Sequence, residues 1–316
     1  MPNSIGTIRL NKLLTSMSVK YSNGMFVADE ISPRVSVDKE TDTYIIYGRE
    51  DFFGEKAERA MGANPNYVPS LSTSTATYTC FEYELADMIS DREISDSTPP
   101  LSLKTDKMNN LTRKISLARE IRVASLFTTQ GNFASSNREQ LSGTEQFNNS
   151  SFDSDSKTDA IEVRIDAGKE AIRAAIGMDP NVIIIPSAVA RVVKKDEEIR
   201  ELIKYTQDNL LVNGDLPETM FNMKVVIPGG IYASNNRGAT FSGADIWGKH
   251  IVMAYIAPNP NSKDVMTFVS TFEQTGREVN EWREEAKRST AIEVREILTE
   301  KIVAADAGYL IEDCIA

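Results

Sequence analysis

The sequence predicts an α+β fold that contains a mixed α/β domain, and three patterns support this prediction. Two dense apolar runs, 182–185 and 225–227, are each followed by a proline and are typical of buried strands. A charged helical block at 194–205 separates them, so strand, helix and strand follow one another. An apolar helical stripe at 106–128 and alternating residues at 77–85 predict a long helix and further strand outside this unit. Because these elements come in separate runs, the prediction is α+β.

Length and composition fit an ordinary soluble protein with room for about two domains. The chain has 316 residues, of which 41% are hydrophobic and 26% charged. No apolar run approaches the roughly 18 residues that a membrane span needs, and residues 1–20 lack a signal-peptide core. We therefore expect a protein made and kept in a cytosol. Cys80 and Cys314 are far apart in sequence, so no disulfide framework is expected.

The net charge of −11 argues against a dedicated nucleic-acid-binding protein. Such proteins gather Lys and Arg to neutralise phosphates. An acidic surface that borders packed DNA without gripping it remains compatible with this charge.

The N-terminal third predicts an arm followed by a long hairpin. Residues 1–43 carry scattered apolar side chains without a sustained period, which suits either an arm lying on a partner or a frayed terminus. Residues 43–47 are β-rich, and 77–85 alternate with the period of a strand. The insert between them is too long for a tight turn, so we expect an extended β-arm that needs a neighbour for stability.

The long helix is predicted over 106–128, with N-cap chemistry at Thr105 and Asp106. Its inward stripe is expected to contain Met108, Leu111, Ile115, Ala118 and Ile121. Its polar face is expected to contain Arg113, Lys114, Arg119 and Arg122. These four could touch nucleic acid, but a solvated face or pairing with carboxylates is the more common use of such residues.

Residues 129–157 are poor in hydrophobic residues and are predicted to form a loop or a domain crossing. A second helix follows, which should bury four isoleucines and end at Gly177. The isoleucines are Ile161, Ile165, Ile172 and Ile176.

The C-terminal half returns to strands. They are predicted at 251–256, 265–272, 279–283 and 290–298, with a last apolar segment at 307–311. Gly276 is predicted to mark a turn between the second and third of these strands. Charged residues of both signs lie in this region and are expected to form salt bridges on strand surfaces or between subunits. They are Glu281, Arg283, Glu284, Glu285, Lys287 and Arg288.

A search for catalytic or metal-binding patterns finds none that is specific. His250 is the one histidine, and without a nucleophile motif or an orienting partner it is interpreted as a packed or surface residue. One histidine and two distant cysteines do not suit a zinc site. Asp153 and Asp155 begin a calcium-like run, but neither the central glycine nor the closing glutamate follows.

Phosphate-binding and hydrolase motifs are also missing. The sequence has no G-x-x-x-x-G-K-[ST], no G-x-G-x-x-G after a strand and no G-x-S-x-G. Residues 228–230, Pro-Gly-Gly, are interpreted as a turn. We therefore predict no catalytic, cofactor-binding or metal-binding residue, no cofactor and no enzymatic activity.

The order of the modules and four local motifs resemble one family. The motifs are Asp91-Arg92-Glu93, Val-Ile-Ile-Ile-Pro-Ser-Ala at 182–188, Ile-Lys-Tyr-Thr at 203–206 and Ile-Trp-Gly-Lys at 246–249. Arm, hairpin, long helix, α/β domain and returning strands follow one another over nearly the whole chain. The sequence resembles the major capsid proteins of tailed phages, whose fold is shared with encapsulins.

The resemblance implies a division of the chain into six parts. They are an N-terminal arm (1–43), an extended hairpin or E-loop (44–86), a peripheral domain with a long spine helix (87–157), an axial domain (158–262), returning peripheral strands (263–300) and a C-terminal segment on the axial domain (301–316).

The resemblance also implies function by assembly. Copies of the chain would form hexamers and pentamers of an icosahedral shell around double-stranded DNA, with each hairpin over one neighbour and each arm beneath another. The location would be the virion, after assembly in the host cytoplasm. Separate scaffolding, portal and decoration proteins are candidate partners, DNA is a partner by proximity only, and no membrane is involved. Some relatives crosslink a loop lysine to an asparagine; Lys56 lies in this region, but we expect no crosslink.

Two alternatives stay open from the sequence. One is an encapsulin-type shell of a bacterial compartment, which would enclose an enzyme instead of DNA. The other is a cytosolic α/β enzyme with an unrecognised site, which would be a monomer or small oligomer with a well-formed pocket.

Overall fold

A computed structural model describes most of the chain. The described residues are 26–55, 57–59, 61–62, 64, 66–68, 72–96, 103–152, 160–204, 216–236, 238–258 and 266–316.

The described residues contain six α-helices. They are α1 (Ala28–Ile31), α2 (Asp91–Asp96), α3 (Leu103–Thr128), α4 (Ile161–Ile176), α5 (Ser187–Val193) and α6 (Glu197–Lys204).

They also contain fourteen β-strands. The strands are β1 (Arg34–Ser36), β2 (Thr41–Tyr47), β3 (Thr73–Thr79), β4 (Phe81–Ser90), β5 (Arg138–Gln140), β6 (Val182–Ile184), β7 (Thr219–Met220), β8 (Met223–Val226), β9 (Ile231–Ala233), β10 (Gly243–Asp245), β11 (Ile251–Ala254), β12 (Val269–Glu284), β13 (Ser289–Ile302) and β14 (Gly308–Glu312).

The long helix α3 packs on a four-stranded sheet in the order β1-β12-β13-β4. Val294 of β13 pairs with Leu85 of β4 on one side and Val279 of β12 on the other, so the three side chains share the helix-facing side of the sheet. Five buried residues form the apolar part of this contact: Ile89, Leu111, Ile115, Ile292 and Val294. Because α3 packs on one face of this sheet, the opposite face is not covered by that helix.

A six-stranded mixed sheet, in the order β5-β14-β11-β6-β8-β7, forms the second layer system. The two apolar runs form β6 and β8, which are connected through α5 and α6 as expected, and the structure shows that they pair in parallel. The largest cluster of buried apolar residues surrounds this sheet and includes the C-terminal end of α3 and the buried face of α4. Helix α4 packs so close to the sheet that a Cβ on Gly168 would lie 2.2 Å from Met253 Cε.

The predicted hairpin is present, since β2 and β3 pair in antiparallel register from Thr41–Thr79 to Tyr47–Thr73. The prediction of a continuous strand at 77–85 was wrong, because the chain breaks at buried Cys80. The following residues form β4 and pair with β13 in the four-stranded sheet. The alternation was visible, but the change of pairing partner at Cys80 depends on β13, more than 200 residues later in the chain.

Two further predictions about elements need correction. Helix α3 begins at Leu103, so Thr105 and Asp106 lie in its first turn and do not precede it. Gly276 lies within β12, where the pairing with β13 shifts register between Glu273 and Glu278, and it does not end the strand. The turn comes after Glu284, with Arg288 in the left-handed region at φ 44°.

The predicted loop at 129–157 is more ordered than expected. Its strand β5 adds to the edge of the six-stranded sheet, parallel to β14. Phe133, Leu141 and Phe147 are buried against the same core. By contrast, the second predicted helix is confirmed as α4, with its four isoleucines buried and Gly177 in the left-handed region at φ 73°.

Candidate assembly surfaces

The residues predicted to face solvent on α3 separate into two groups. Arg113 and Lys114 are exposed as expected. Arg119 is buried, so its assignment to a polar face was wrong. Arg122 is half-buried: its guanidinium lies 3.7 Å from the centre of the Tyr83 ring and makes two hydrogen bonds, of 2.8 and 3.0 Å, to Glu300. Neither Arg119 nor Arg122 is placed to bind phosphate.

The inward stripe of α3 is likewise only partly as predicted. Leu111 and Ile115 are buried, but Ala118 and Ile121 are exposed. The buried positions continue instead through Glu120, Val123, Ala124 and Phe127. The C-terminal half of the helix therefore turns a mixed polar and apolar face inward, toward both sheets.

The arginine at position 119 makes its contacts with residues that precede and follow the long helix by many positions. It forms an ion pair with Asp29, donates to Thr271 Oγ1 at 3.2 Å and lies 3.6 Å from the Glu300 carboxylate. Burial opposes ionisation of Asp29, but the Arg119 charge and the hydrogen bonds from Arg34 and Arg119 outweigh it, so the pKa of Asp29 is lowered.

The cysteines and the histidine occupy structural positions. Cys80 and Cys314 are both buried and not joined to each other. Burial raises the pKa of the Cys314 thiol to about 12 and also raises that of Cys80, so neither is poised as a thiolate. His250 is half-buried, and its Nδ1 accepts the backbone N–H of Asp313 at 3.2 Å. Its ring thus ties the C-terminal segment to the sheet.

Among the described residues, no group of three or more His, Cys, Asp or Glu is arranged to hold a metal ion. Asp153 and Asp155 lie outside the described residues, as does Lys56. The helices that the structure describes include none that is long and apolar enough to cross a bilayer.

The hairpin presents large apolar side chains to solvent. Tyr67 is 87% exposed and Phe53 is 71% exposed, and Ile45 and Tyr47 are also exposed. Two contacts hold the hairpin near its own subunit: Arg49 pairs with Asp306, and the Phe52 ring lies over Gly177 at the end of α4. Exposed apolar side chains concentrated on one protruding element are typical of a protein–protein contact.

The root of the hairpin is anchored on the open face of the four-stranded sheet. The Tyr78 ring stacks on Phe272 with centroids 4.6 Å apart, and Tyr44 lies 5.5 Å from the same ring. Cys80 is buried beside them, and Lys301 donates to the Thr77 carbonyl. The hairpin therefore leaves the body at a fixed place.

The far end of the four-stranded sheet is charged. Arg295 bonds Glu278 at 2.9 Å and Glu82 at 3.4 Å, and Arg283 bonds Asp91 at 2.7 Å. Of the predicted acidic cluster, Glu281 pairs with Lys104 and Glu285 lies 3.4 Å from Arg283. These salt bridges form within the subunit, which is one of the two uses predicted for them.

A second small apolar surface lies on the two-stranded ribbon formed by β9 and β10. Phe241 is 67% exposed, and Ile231 and Tyr232 are exposed beside it. Gly230, which precedes the ribbon, lies against Ile246 and Phe26. The ribbon is thus a two-stranded sheet separate from the six-stranded sheet.

Comparisons with known proteins identify relatives along the whole chain. A major capsid protein of Burkholderia phage BcepMu is 31% identical over 314 residues, covering 96% of this chain and 98% of the relative. A major capsid protein of Pseudomonas phage JBD67 is 25% identical and covers 96% of both chains. No protein-family model matches the chain.

Solved structures share the fold at low identity. A phage-related protein from Bordetella bronchiseptica superposes with a TM-score of 0.68 at 19% identity, covering 93% of this chain and 94% of the other. The capsid structure of cyanophage P-SCSP1u also gives 0.68, at 8% identity, over 99% and 95%. The α+β arrangement of hairpin, long helix and two sheets is therefore a capsid-protein fold. With nearly full-length identity of 31% to a named capsid protein, the chain belongs to the family of phage major capsid proteins.

Proposed function

We propose that many copies of this protein assemble into the icosahedral shell of a tailed phage and enclose its double-stranded DNA genome. The observation that carries the proposal is the 31% identity to a phage major capsid protein over 96% of the chain. The exposed apolar side chains of the hairpin support it, since an isolated hairpin of this kind gains stability by lying on a neighbour.

Within the shell, we assign a task to each of the six parts. Residues 1–43 form an arm beneath a neighbour, but α1 and β1 hold its C-terminal part on its own subunit. Residues 44–86 form a hairpin over another neighbour, but from Phe81 onward they belong to β4 of the four-stranded sheet. The peripheral parts, 87–157 and 263–300, contain the long helix and most of the four-stranded sheet. The axial domain, 158–262, meets other copies around five-fold and six-fold axes to form pentamers and hexamers, and 301–316 pack on it. The exposed Phe241 on the β9–β10 ribbon is a candidate contact at these axes.

The proposal gives the protein a structural task without catalysis and places assembly in the host cytoplasm before release as a virion. Burial of both thiols and the use of His250 as a packed acceptor support the absence of catalysis. A separate scaffolding protein, a portal and decoration proteins are the partners that such a shell would use.

The test is assembly of the purified protein, analysed by sedimentation and negative-stain microscopy. We expect closed particles of uniform size, formed by the protein alone or with the scaffolding protein of its phage. A monomer or small oligomer under both conditions would contradict the proposal. Particles that enclose a host enzyme instead of DNA in infected cells would favour the encapsulin alternative.

A matched pair of variants makes the test specific to the hairpin. Phe53→Ser removes an apolar side chain that is 71% exposed, so it should leave the free subunit folded and reduce the yield of particles. Glu55→Gln changes an exposed residue two positions away and should assemble normally. Equal yields from the two variants would show that the apolar tip of the hairpin is not an assembly contact.

A further inference from the structure

Glu120 is a fully buried carboxylate in the middle of α3, and neutral groups satisfy it. It accepts hydrogen bonds from the backbone N–H of Val27 at 3.0 Å, the backbone N–H of Ala28 at 2.9 Å and the indole N–H of Trp247 at 2.7 Å. In the described part of the chain, no cation lies within ion-pair distance of it. A buried polar side chain is tolerated when its hydrogen bonds are satisfied, and three donors from separate segments satisfy this one, so the position has a requirement beyond filling space.

The three donors belong to parts of the molecule that have different places in the fold. Val27 directly precedes α1, and Ala28 is the first residue of that helix. Trp247 is buried in the core around the six-stranded sheet, with its ring 5.8 Å from Phe127 of α3. Glu120 itself lies on the helix that packs on the four-stranded sheet. A single carboxylate therefore joins the start of α1 to both sheets.

The neighbouring residue, Arg119, contacts the C-terminal end of the same short segment, residues 27–32. It pairs with Asp29 and donates to the Ser32 carbonyl at 3.4 Å, and the Ser32 hydroxyl lies 2.7 Å from that of Thr271. Adjacent residues of an α-helix point about 100° apart, so Arg119 and Glu120 can hold two sides of one passing segment. Residues 27–32 are thus fixed at both ends before the chain enters β1.

We propose that Glu120 is a positioning residue for shell assembly, which holds residues 27–32 in one arrangement relative to both sheets. The inference rests on the proposed function, because this arrangement affects assembly only if the protein forms a shell of many copies. Buried polar groups are weak sources of stability but can impose one specific arrangement, and three segments meeting at one carboxylate are suited to that task.

The chemistry of the site determines which variants are informative. In Glu120→Gln, one oxygen becomes an NH₂ group, which must face a donor because all three partners are donors. Trp247→Phe keeps an aromatic ring but removes the one donor that comes from the six-stranded sheet. The control is Glu296→Gln: Glu296 is also fully buried, and its partner among the described residues is Arg277, which donates to it at 3.1 and 3.3 Å, away from residues 27–32 and Trp247.

The experiment combines hydrogen exchange of the free full-length subunit with electron microscopy of assembled particles. In Glu120→Gln we expect amide exchange at residues 27–32 to rise at least tenfold, and closed uniform particles to give way to irregular ones or free subunits. In Glu296→Gln we expect both measurements to match the original protein. In Trp247→Phe, the amides of Val27 and Ala28 should keep part of their protection from hydrogen exchange, but the particles should be of mixed size. This variant replaces Glu120→Gln in the test if Glu120→Gln does not fold.

Two results would overturn the inference. One is the formation of closed, uniform particles by Glu120→Gln or Trp247→Phe, even though amide hydrogen exchange at residues 27–32 rises. The other is an equal loss of particles from Glu296→Gln, which would mean that any change to a buried carboxylate suffices. If the unmodified protein forms no particles, the proposed function fails, whereas the exchange data still decide whether Glu120 holds residues 27–32.

Discussion

Arg119 is nearly fully buried, and oxygen atoms from several parts of the chain surround its guanidinium group. Asp29 and Ser32 precede it by about 90 residues, and Thr271 and Glu300 follow it by more than 150. The side chain of Asp29 stays largely exposed, so solvent weakens that ion pair, whereas Glu300 is buried with Arg119. The loss of Arg119 would leave the Glu300 charge with Arg122 alone.

Replacement of Arg119 with Ala should therefore reduce the free energy of unfolding by about 3–5 kcal/mol, as expected when one partner of a buried ion pair is removed. Urea denaturation measures this difference. Arg113→Ala, at an exposed position of the same helix, should change stability by no more than about 0.5 kcal/mol. Similar values for the two variants would contradict the role of Arg119.

The burial of Cys80 and Cys314 predicts low reactivity of both thiols in the folded subunit. Both cysteines are buried, and the pKa of Cys314 is raised to about 12 by burial, so almost no thiolate is present at pH 8. A thiol reagent at pH 8 should label neither cysteine in the folded subunit and both after denaturation. Rapid labelling of one thiol in the folded subunit would show that its surroundings are open.

Among the elements, β14 depends on the absence of a side chain at its first residue. A Cβ on Gly308 would lie 2.6 Å from Phe268 and 2.9 Å from Phe133. The backbone angle of Gly308, φ −126°, suits any residue, so the glycine provides room and not conformational freedom. The contact between the Phe133 and Phe268 rings joins the region that was predicted to be a loop, 129–157, to the chain between β11 and β12.

Gly308→Ala should accordingly cost about 1–3 kcal/mol, because both rings must move in a packed core. Thermal or chemical unfolding provides the measurement. Gly229→Ala is the control, since no atom lies within 4 Å of the added Cβ. If Gly308→Ala is as stable as the control, the core around β14 is looser than the contacts indicate.

The contact of Tyr78 with Phe272 at the hairpin root is expected to stabilise β2 and β3 on the four-stranded sheet. Tyr78→Ala removes the ring that stacks on Phe272, so hydrogen exchange should accelerate in β2 and β3 while β13 keeps its protection. Tyr47→Ala changes a half-exposed ring in the same hairpin and should have little effect. If exchange accelerates in β13 as well, the hairpin and the sheet unfold together and the root is not a separate anchor.

Elements with local causes could be predicted from the sequence. Helix α4 has a clean apolar period and a glycine stop, so its bounds and its buried face both follow from neighbouring residues. The two apolar runs likewise predict β6 and β8 as buried strands joined through helices. The inward face of α3 could not be read in this way, because Arg119 and Glu120 are buried by partners that lie about 90 to 180 residues away.

The same limit applies to the assembly surfaces. The sequence indicated a long hairpin in need of a neighbour, but the site of its root depends on Phe272, almost 200 residues from Tyr78. Nor did it indicate that β5 would extend the six-stranded sheet, because a three-residue strand has too little pattern to recognise. Glu120 carried no signal at all, since a lone glutamate in a charged helix is usually exposed.

At the scale of the whole molecule, apolar surface is displayed on two elements, the hairpin and the β9–β10 ribbon. Phe53, Tyr67 and Phe241 are each more than 65% exposed. The root of the hairpin is held by the buried residues Tyr78, Cys80 and Phe272, whereas the apolar side chains farther along it are exposed. A subunit built in this way is suited to bury these side chains in contacts with other copies, which is what a capsid shell requires.

A cryo-electron microscopy reconstruction of the assembled particle would decide whether this chain is the repeating subunit of a capsid shell. We expect a closed icosahedral particle whose every subunit has both sheets, with Phe53 and Tyr67 of each hairpin buried against a neighbouring copy. A protein that forms no particle, or a particle in which these hairpin residues contact only their own subunit, would contradict it.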